Sequence, residues 1–213
     1  MVKIQLFYNK QKIECIFNKQ YYFMFLRNNF VIIFLFIASC QPVELLQPVQ
    51  IDYSKFKKIN ISAKEISINT LYDPIFSEEN IEDQIQNPPI QVVLSWSKEN
   101  ISNIGNENKF IINIIDATIL KKQIEDQDAN NYQEKTIFEY TVSFLVEYEL
   151  YNDSGFLLAN VSVESSRSTT SKKYISINET EIIINDLINS ALYDFTEESM
   201  SLLTQYMREY LNT

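Results

Sequence analysis

The stretch Phe138–Leu150, FEYTVSFLVEYEL, alternates apolar and polar side chains at every position except Leu145. Successive side chains of a β-strand point to opposite faces of a sheet, so this pattern predicts a strand with one buried and one solvent-facing side. The turn-forming sequence Asn152–Gly155 follows, and Leu157–Val163 resumes the alternation. Together these segments predict an antiparallel hairpin.

The rest of the predicted sheet lies upstream of the hairpin. Phe110–Leu120 is apolar on both faces in its first half, which is typical of a central strand. Ile59–Ala63 and Ile66–Ile68 alternate in opposite phases, and a single strand with a bulge near Lys64 would explain the change of face. Three polar segments predict loops, at 73–87, 121–135 and 165–173.

Two amphipathic segments predict helices. Pro88–Ile104 begins with two prolines, carries one apolar stripe, and is followed by Gly105 where a left-handed residue commonly ends a helix. Asn178–Leu211 repeats apolar residues every three or four positions, and Asn178 with Glu181 forms a candidate capping box. These elements predict an α+β fold in the order β-α-β-β-β-α. An antiparallel sheet of about four strands would carry both amphipathic helices on one face.

A short apolar run near the start of the chain has a different character. Phe30–Ala38 is free of charge, follows Arg27, and is too short for a membrane span of about 20 residues. It fits the apolar core of a secretory signal peptide, which is typically about 7–15 residues long. The sequence Ile37–Cys40, IASC, resembles the bacterial lipobox, in which an aliphatic residue and two small residues precede a cysteine.

The lipobox resemblance implies a lipid anchor. In proteins with this motif the cysteine thiol receives a diacylglycerol, the signal peptide is cleaved before the cysteine, and the new amino group is usually acylated. Here cleavage would fall between Ser39 and Cys40, with fatty acid such as palmitate attached at Cys40. Two or three acyl chains hold a protein stably on a membrane, whereas one does so only marginally. An ordinary signal peptide, or an uncleaved helix that buries Arg27, are the alternatives.

The anchor organises the chain into three predicted regions. Residues 1–39 form a leader and signal peptide, with Met24 as an alternative start, and residues 40–50 form a lipidated tether. Residues 51–213 form a single α+β periplasmic domain. Gln41 follows the cysteine, where Asp favours retention in the inner membrane. By that resemblance we expect the protein to be lipid-anchored in the outer membrane, facing the periplasm.

Composition excludes several function classes. The formal net charge of −10 opposes binding to nucleic acid or anionic lipid. The chain has no histidine, which removes histidine triads and histidine-ligated zinc. Two glycines cannot form a glycine-rich phosphate loop. Cys15 falls in the leader and Cys40 would be lipidated, so no thiol remains for a disulfide or a nucleophile. We therefore expect no metal, no cofactor and no enzymatic activity.

Two acidic segments are candidate sites. Asp126, Asp128 and Asn130 match the first ligands of an EF-hand calcium loop, but Asn131 and Ile137 replace its glycine and final glutamate. This pattern favours a solvated loop over a calcium site. A second group could in principle pair as acid and base but is more typical of surface charge. Its members are Glu78, Glu79, Glu82 and Asp83.

Three segments carry a wider resemblance. Pro88–Pro89, Phe110–Thr118 (FIINIIDAT) and Ser176–Asp194 (SINETEIIINDLINSALYD) resemble small envelope lipoproteins of Gram-negative bacteria, a group that brings no known active site. The layout is also similar in outline to lipoproteins that plug the lipopolysaccharide translocon or serve lipid-transfer ABC systems. This implies a non-catalytic lipid-anchored protein that binds a protein partner, as an accessory subunit of a transport or envelope-assembly system. The alternative is a carrier with a groove for lipid or another hydrophobic ligand. A hydrolase that uses only carboxylates is a third hypothesis.

Overall fold

The computed structural model describes residues 50–74, 77–127, 129 and 134–212. Within these residues the chain forms six strands and two α-helices. In chain order they are β1 Ile59–Ile61, β2 Glu65–Thr70, α1 Pro89–Asn100, β3 Ile101–Asn103, β4 Lys109–Glu125, β5 Thr136–Tyr151, β6 Leu157–Lys172 and α2 Ile177–Tyr206.

The main sheet has four strands in the order β2-β4-β5-β6. The predicted hairpin is present, because β4, β5 and β6 pair in antiparallel fashion along nearly their whole length. β2 pairs with β4 in parallel, so the sheet is mixed rather than purely antiparallel. With two helices packed on an open four-stranded sheet, the α+β class is confirmed.

The first predicted strand is in fact two strands in two sheets. β1 pairs in parallel with β3, apart from the main sheet that contains β2. Between them the backbone N–H of Lys64 donates to the carbonyls of Glu107 and Asn108, at 2.9 and 3.0 Å. The change of phase at Lys64 therefore marks a change of strand partner and not a bulge.

The predicted loop at 165–173 is almost entirely strand, and the predicted loop at 121–135 is strand only in its first five residues. β4 continues to Glu125, opposite Thr136, and β6 continues through the Ser/Thr-rich segment to Lys172, opposite Ile137. The 165–173 loop prediction is wrong because β6 is the last strand of the sheet. A strand at that position needs little apolar surface, and threonine suits an extended backbone.

Helix α1 is shorter than its apolar stripe predicts. It ends at Asn100, and Ile101 leaves the helix to pair with Ile59 in the small sheet. Gly105 does not cap the helix and is not in the left-handed region. A Cβ at Gly105 would lie 2.7 Å from the backbone of Ser62 and Ala63, so a close approach of two segments explains the glycine.

The N-cap of helix α2 lies two residues earlier than predicted. Ser176 is its N-cap, accepting from the backbone N–H of Glu179, whose carboxylate accepts from the Ser176 N–H in return. The overlapping pair Asn178 and Glu181 has the same spacing but already lies within the helix. The helix ends at Tyr206, before a short 3₁₀ turn.

Both helices pack on the same face of the sheet. Trp96 of α1 meets Phe195 of α2 edge-to-face, with ring centroids 5.6 Å apart. Phe195 also contacts Phe144 of β5, at 5.5 Å. Trp96 is fully buried at the centre of the interface. Phe110 stacks on Tyr148 nearby, at 5.8 Å.

Candidate functional site

The predicted lipidation and cleavage residues, Ser39 and Cys40, lie outside the described residues, as does the tether up to residue 49. The acylation and cleavage predictions therefore stay predictions. Neither described helix is long and apolar enough to cross a membrane.

The turn between β5 and β6 presents an apolar cluster to solvent. Phe156, Leu157 and Leu158 are 70%, 51% and 41% exposed. We call these three residues the tip cluster. Burying a large apolar side chain contributes about 1.5–3 kcal/mol, so a partner that covers the tip cluster would gain binding free energy from each of the three residues.

The turn beneath the tip cluster is well braced. The side-chain carbonyl of Asn152 accepts from the backbone N–H groups of Ser154 and Phe156, at 3.0 and 2.9 Å. Gly155 has φ +80°, a conformation that side-chain-bearing residues rarely adopt. Asp153 pairs with Lys64, which ties the turn to the start of β2. The pairing lowers the pKa of Asp153 and raises that of Lys64. The tip cluster is thus held by a fixed turn.

Hydrogen-bonded polar pairs cover part of the sheet face opposite the helices. Thr141 bonds Ser168 at 2.8 Å, and Ser143 bonds Ser166 at 3.0 Å, both between β5 and β6. Closer to the tip, Glu147 accepts from Asn160 at 2.8 Å. Such cross-strand pairs stabilise a sheet by about 0.2–1 kcal/mol each. These polar groups bind mainly one another.

The acidic segment around Glu82 is structural. The prediction of surface charge is wrong for Glu82, which is buried and accepts from the Tyr72 hydroxyl and from the Asn80 side-chain amide. Burial, together with the Glu82 carboxylate, raises the pKa of Tyr72. Glu79 instead pairs with Lys122 of β4 at 3.9 Å. The Glu79–Lys122 pair and backbone hydrogen bonds to Ile119 and Lys121 hold this segment against β4, and the Glu82 carboxylate ties it to Tyr72.

Asp116 stands at the β-bulge of β4, close to this segment. The register with β5 shifts between Ile114 and Asp116, which turns the carboxylate into a half-buried position. Burial raises the pKa of Asp116, and the negative charges of Glu82 and Glu164 act in the same direction. Across the described ranges, no three acidic or cysteine side chains are grouped to hold a metal ion. Asp128 and Asn130 of the EF-hand-like segment lie outside those ranges.

A small open cleft separates the N-terminal half of α2 from the sheet. Its volume is about 260 Å³, and Ile81, Ile85, Ile177 and Ile184 supply apolar walls. Lys121 lies at one side, with its ammonium 4.1 Å from the centroid of the Phe138 ring. Ligand pockets usually measure about 300–1,000 Å³, so this cleft lies below their lower end.

No family model and no curated protein matches this chain. Among solved structures, a minor lipoprotein from Acinetobacter baumannii is similar at 8% identity and TM-score 0.35. The match covers 72% of this chain and 98% of the chain of that lipoprotein. The rare lipoprotein B from Shewanella oneidensis is similar at 13% identity and TM-score 0.33, covering 65% of this chain and 94% of its own. Similarity at this level carries no inference about fold or function.

Proposed function

We propose that this chain is a non-catalytic, lipid-anchored envelope protein that binds a protein partner through the tip cluster. Its place would be the outer membrane, facing the periplasm, as an accessory subunit of a transport or envelope-assembly system. The exposed Phe156, Leu157 and Leu158 are the observation that carries the partner role. Large apolar side chains on a braced turn are typical of a docking point, since little flexibility is lost when they are covered.

The anchoring part of the proposal rests on the sequence of residues 27–40. Arg27, the charge-free run Phe30–Ala38 and the terminal Cys40 occur in the order that lipoprotein signal peptides require. Acyl chains at Cys40 would keep the domain at the membrane surface, where it meets membrane-embedded partners at high local concentration.

The filled interior favours the partner role over the carrier role. A carrier of this architecture would hold its ligand between the helices and the sheet. That space is occupied by Trp96, Phe144 and Phe195, which contact one another and are fully buried. The carrier remains as a second candidate because of the apolar cleft beside Lys121, where an acyl chain could lie with an anionic end near the ammonium.

The non-catalytic part of the proposal rests on the state of the acidic residues. Glu82 already accepts two side-chain hydrogen bonds, and Glu79 is paired with Lys122. These acids brace a loop, and no histidine exists to serve as a general base.

Fractionation and pull-down test the proposal together. Cells expressing the parent chain or Cys40→Ser are labelled with palmitate and separated into membrane and soluble fractions. We expect label and sedimentation for the parent and neither for Cys40→Ser. Pull-down of the parent should give one membrane protein in stoichiometric amount, and Phe156→Ser should lose it. A palmitate-free parent would contradict the anchor. Phospholipid that co-purifies stoichiometrically with Cys40→Ser, with no protein, would favour the carrier.

A further inference from the structure

The outer edge of β6 is an open strand edge. β6 is 16 residues long and terminates the sheet order β2-β4-β5-β6. Within the described part of the chain, no other backbone segment pairs with its outer side. Such an edge presents a row of N–H and C=O groups that a further strand can bind.

The usual safeguards against strand addition are weak along the first half of β6. Proteins protect edges with lysine, proline or a bulge. Leu157–Val163 contains no charge and no proline. The one register shift with β5 lies at Leu158, and the pairing is regular from Ala159 to Lys172. Val161 and Val163 are buried, so the core reaches the edge itself. A strand added here would extend a formed core.

Helix α2 forms a wall beside this edge farther along. Between the second half of β6 and α2 lies a cleft of about 300 Å³, which we call the edge cleft. Its lining includes Arg167, Thr169, Ile183, Asp186, Leu187 and Ser190. A groove between a sheet edge and a helix is the geometry in which several domains bind extended peptides by strand addition.

Charge indicates what the edge would accept. Glu164 is exposed and lies on the sheet face opposite the helices, the same face as the Ser143–Ser166 pair. It is the only charged residue from Leu157 to Ser166, and no ion pair joins it to another described residue. Arg167 is already bound, donating to Asp194 at 2.6 Å. A second copy of this chain would bring another net charge of −10, and antiparallel pairing along all of β6 would place the two Glu164 residues side by side. Basic side chains would be attracted instead.

We propose that the β6 edge binds an extended segment of the partner, in which apolar and basic residues alternate, by adding a strand to the sheet. The inference rests on the proposed partner role and names the surface and chemistry of the contact. Backbone hydrogen bonds to β6 supply affinity. The apolar side chains of the segment would face the helix side and extend the core at Val161 and Val163, and its basic side chains would face the other side, where Glu164 lies.

Hydrogen exchange on the full chain in lipid nanodiscs tests this edge. The probe is a synthetic peptide of about ten residues that alternates valine and lysine, a length matched to a strand. We expect it to slow exchange at β6 amides by at least about tenfold, because outward N–H groups become hydrogen-bonded. The same peptide with alternate N-methylated residues cannot add as a strand and should leave exchange unchanged.

Charge reversal identifies the side chain. Glu164→Lys should weaken binding of the valine–lysine peptide by about three- to tenfold and favour a valine–glutamate peptide. Glu99→Lys is the matched control, since it reverses an exposed acid on α1, away from β6. Equal weakening by Glu99→Lys, or slowed exchange by the N-methylated peptide, would mean non-specific attraction and overturn the proposal.

Three further outcomes separate this inference from its alternatives and from the proposed function. Protection of β6 amides that rises with protein concentration, without peptide, would assign the edge to a second copy and overturn the basic-strand proposal. A stoichiometric complex with a membrane partner in which β6 amides exchange as fast as in the free chain would refute strand addition and leave the partner role intact. Loss of the partner in Phe156→Ser with β6 protection retained would separate the two surfaces and support both.

Discussion

Phe195→Ala tests whether the space between the helices and the sheet is filled, on which the partner role depends. Phe195 is fully buried and contacts the rings of Trp96 and Phe144 at 5.6 and 5.5 Å. Removing a buried phenylalanine costs about 3–5 kcal/mol, of which each aromatic pair contributes about 0.5–1.5 kcal/mol. We expect the free energy of unfolding to fall by about 4 kcal/mol.

Urea unfolding followed by tryptophan fluorescence measures this loss. Trp96 is the only tryptophan in the chain and contacts Phe195, so its emission reports the affected interface. With a urea dependence of about 2 kcal/mol per molar, the midpoint should fall by about 2 M. Tyr193→Ala, at a position 57% exposed on the same helix, should change stability by less than about 0.5 kcal/mol.

A loss below about 1.5 kcal/mol for Phe195→Ala would refute the reasoning, because it would mean that the interior is loosely packed. The space between helices and sheet would then be open to a ligand, and the carrier role would become the better account.

Three further changes test other parts of the fold by urea unfolding. Gly105→Ala should destabilise by about 1–3 kcal/mol, because its Cβ meets the Ser62 and Ala63 backbone at 2.7 Å; no loss would contradict that close approach. Ser176→Ala should cost about 1 kcal/mol by removing the N-cap of α2, and Asn178→Ala should cost less. Burial raises the pKa of Asp116, so this carboxyl contributes most to stability below its unfolded value of 3.8 and loses that contribution as pH rises through its folded pKa. Asp116→Asn should therefore be at least as stable as the parent at pH 7 and show a weaker pH dependence; a less stable variant at pH 7 would contradict this.

The features that sequence could predict are those set by local pattern. The alternation in Phe138–Leu150 specifies a strand with one buried face, and the turn after it closes the hairpin. Ser176–Glu179 and Asn178–Glu181 both match a capping box, so the true N-cap was one of two equivalent choices. The sequence also carries a signal for the tip cluster, because Phe156 and Leu158 are apolar at positions where the alternation that starts at Leu157 predicts polar residues.

The features that were missed depend on distant partners. β1 and β2 belong to different sheets because each pairs with a strand more than 40 positions away. Glu82 is buried because Tyr72 and Asn80 bind it, and composition alone does not reveal that contact. The second half of β6 has the polar composition of a loop, because an edge strand needs few apolar residues. The edge cleft was not predicted for the same reason, because the second half of β6 forms one of its walls.

Photocrosslinking in living cells tests the central claim most directly. A photoreactive amino acid is placed at Phe156, in the tip cluster, or at Leu71, which is 62% exposed and follows β2 at the opposite side of the sheet. The account predicts a crosslink from position 156 to one envelope protein of defined mass, and none to that protein from position 71. The same products from both positions, or no protein product from position 156, would contradict it.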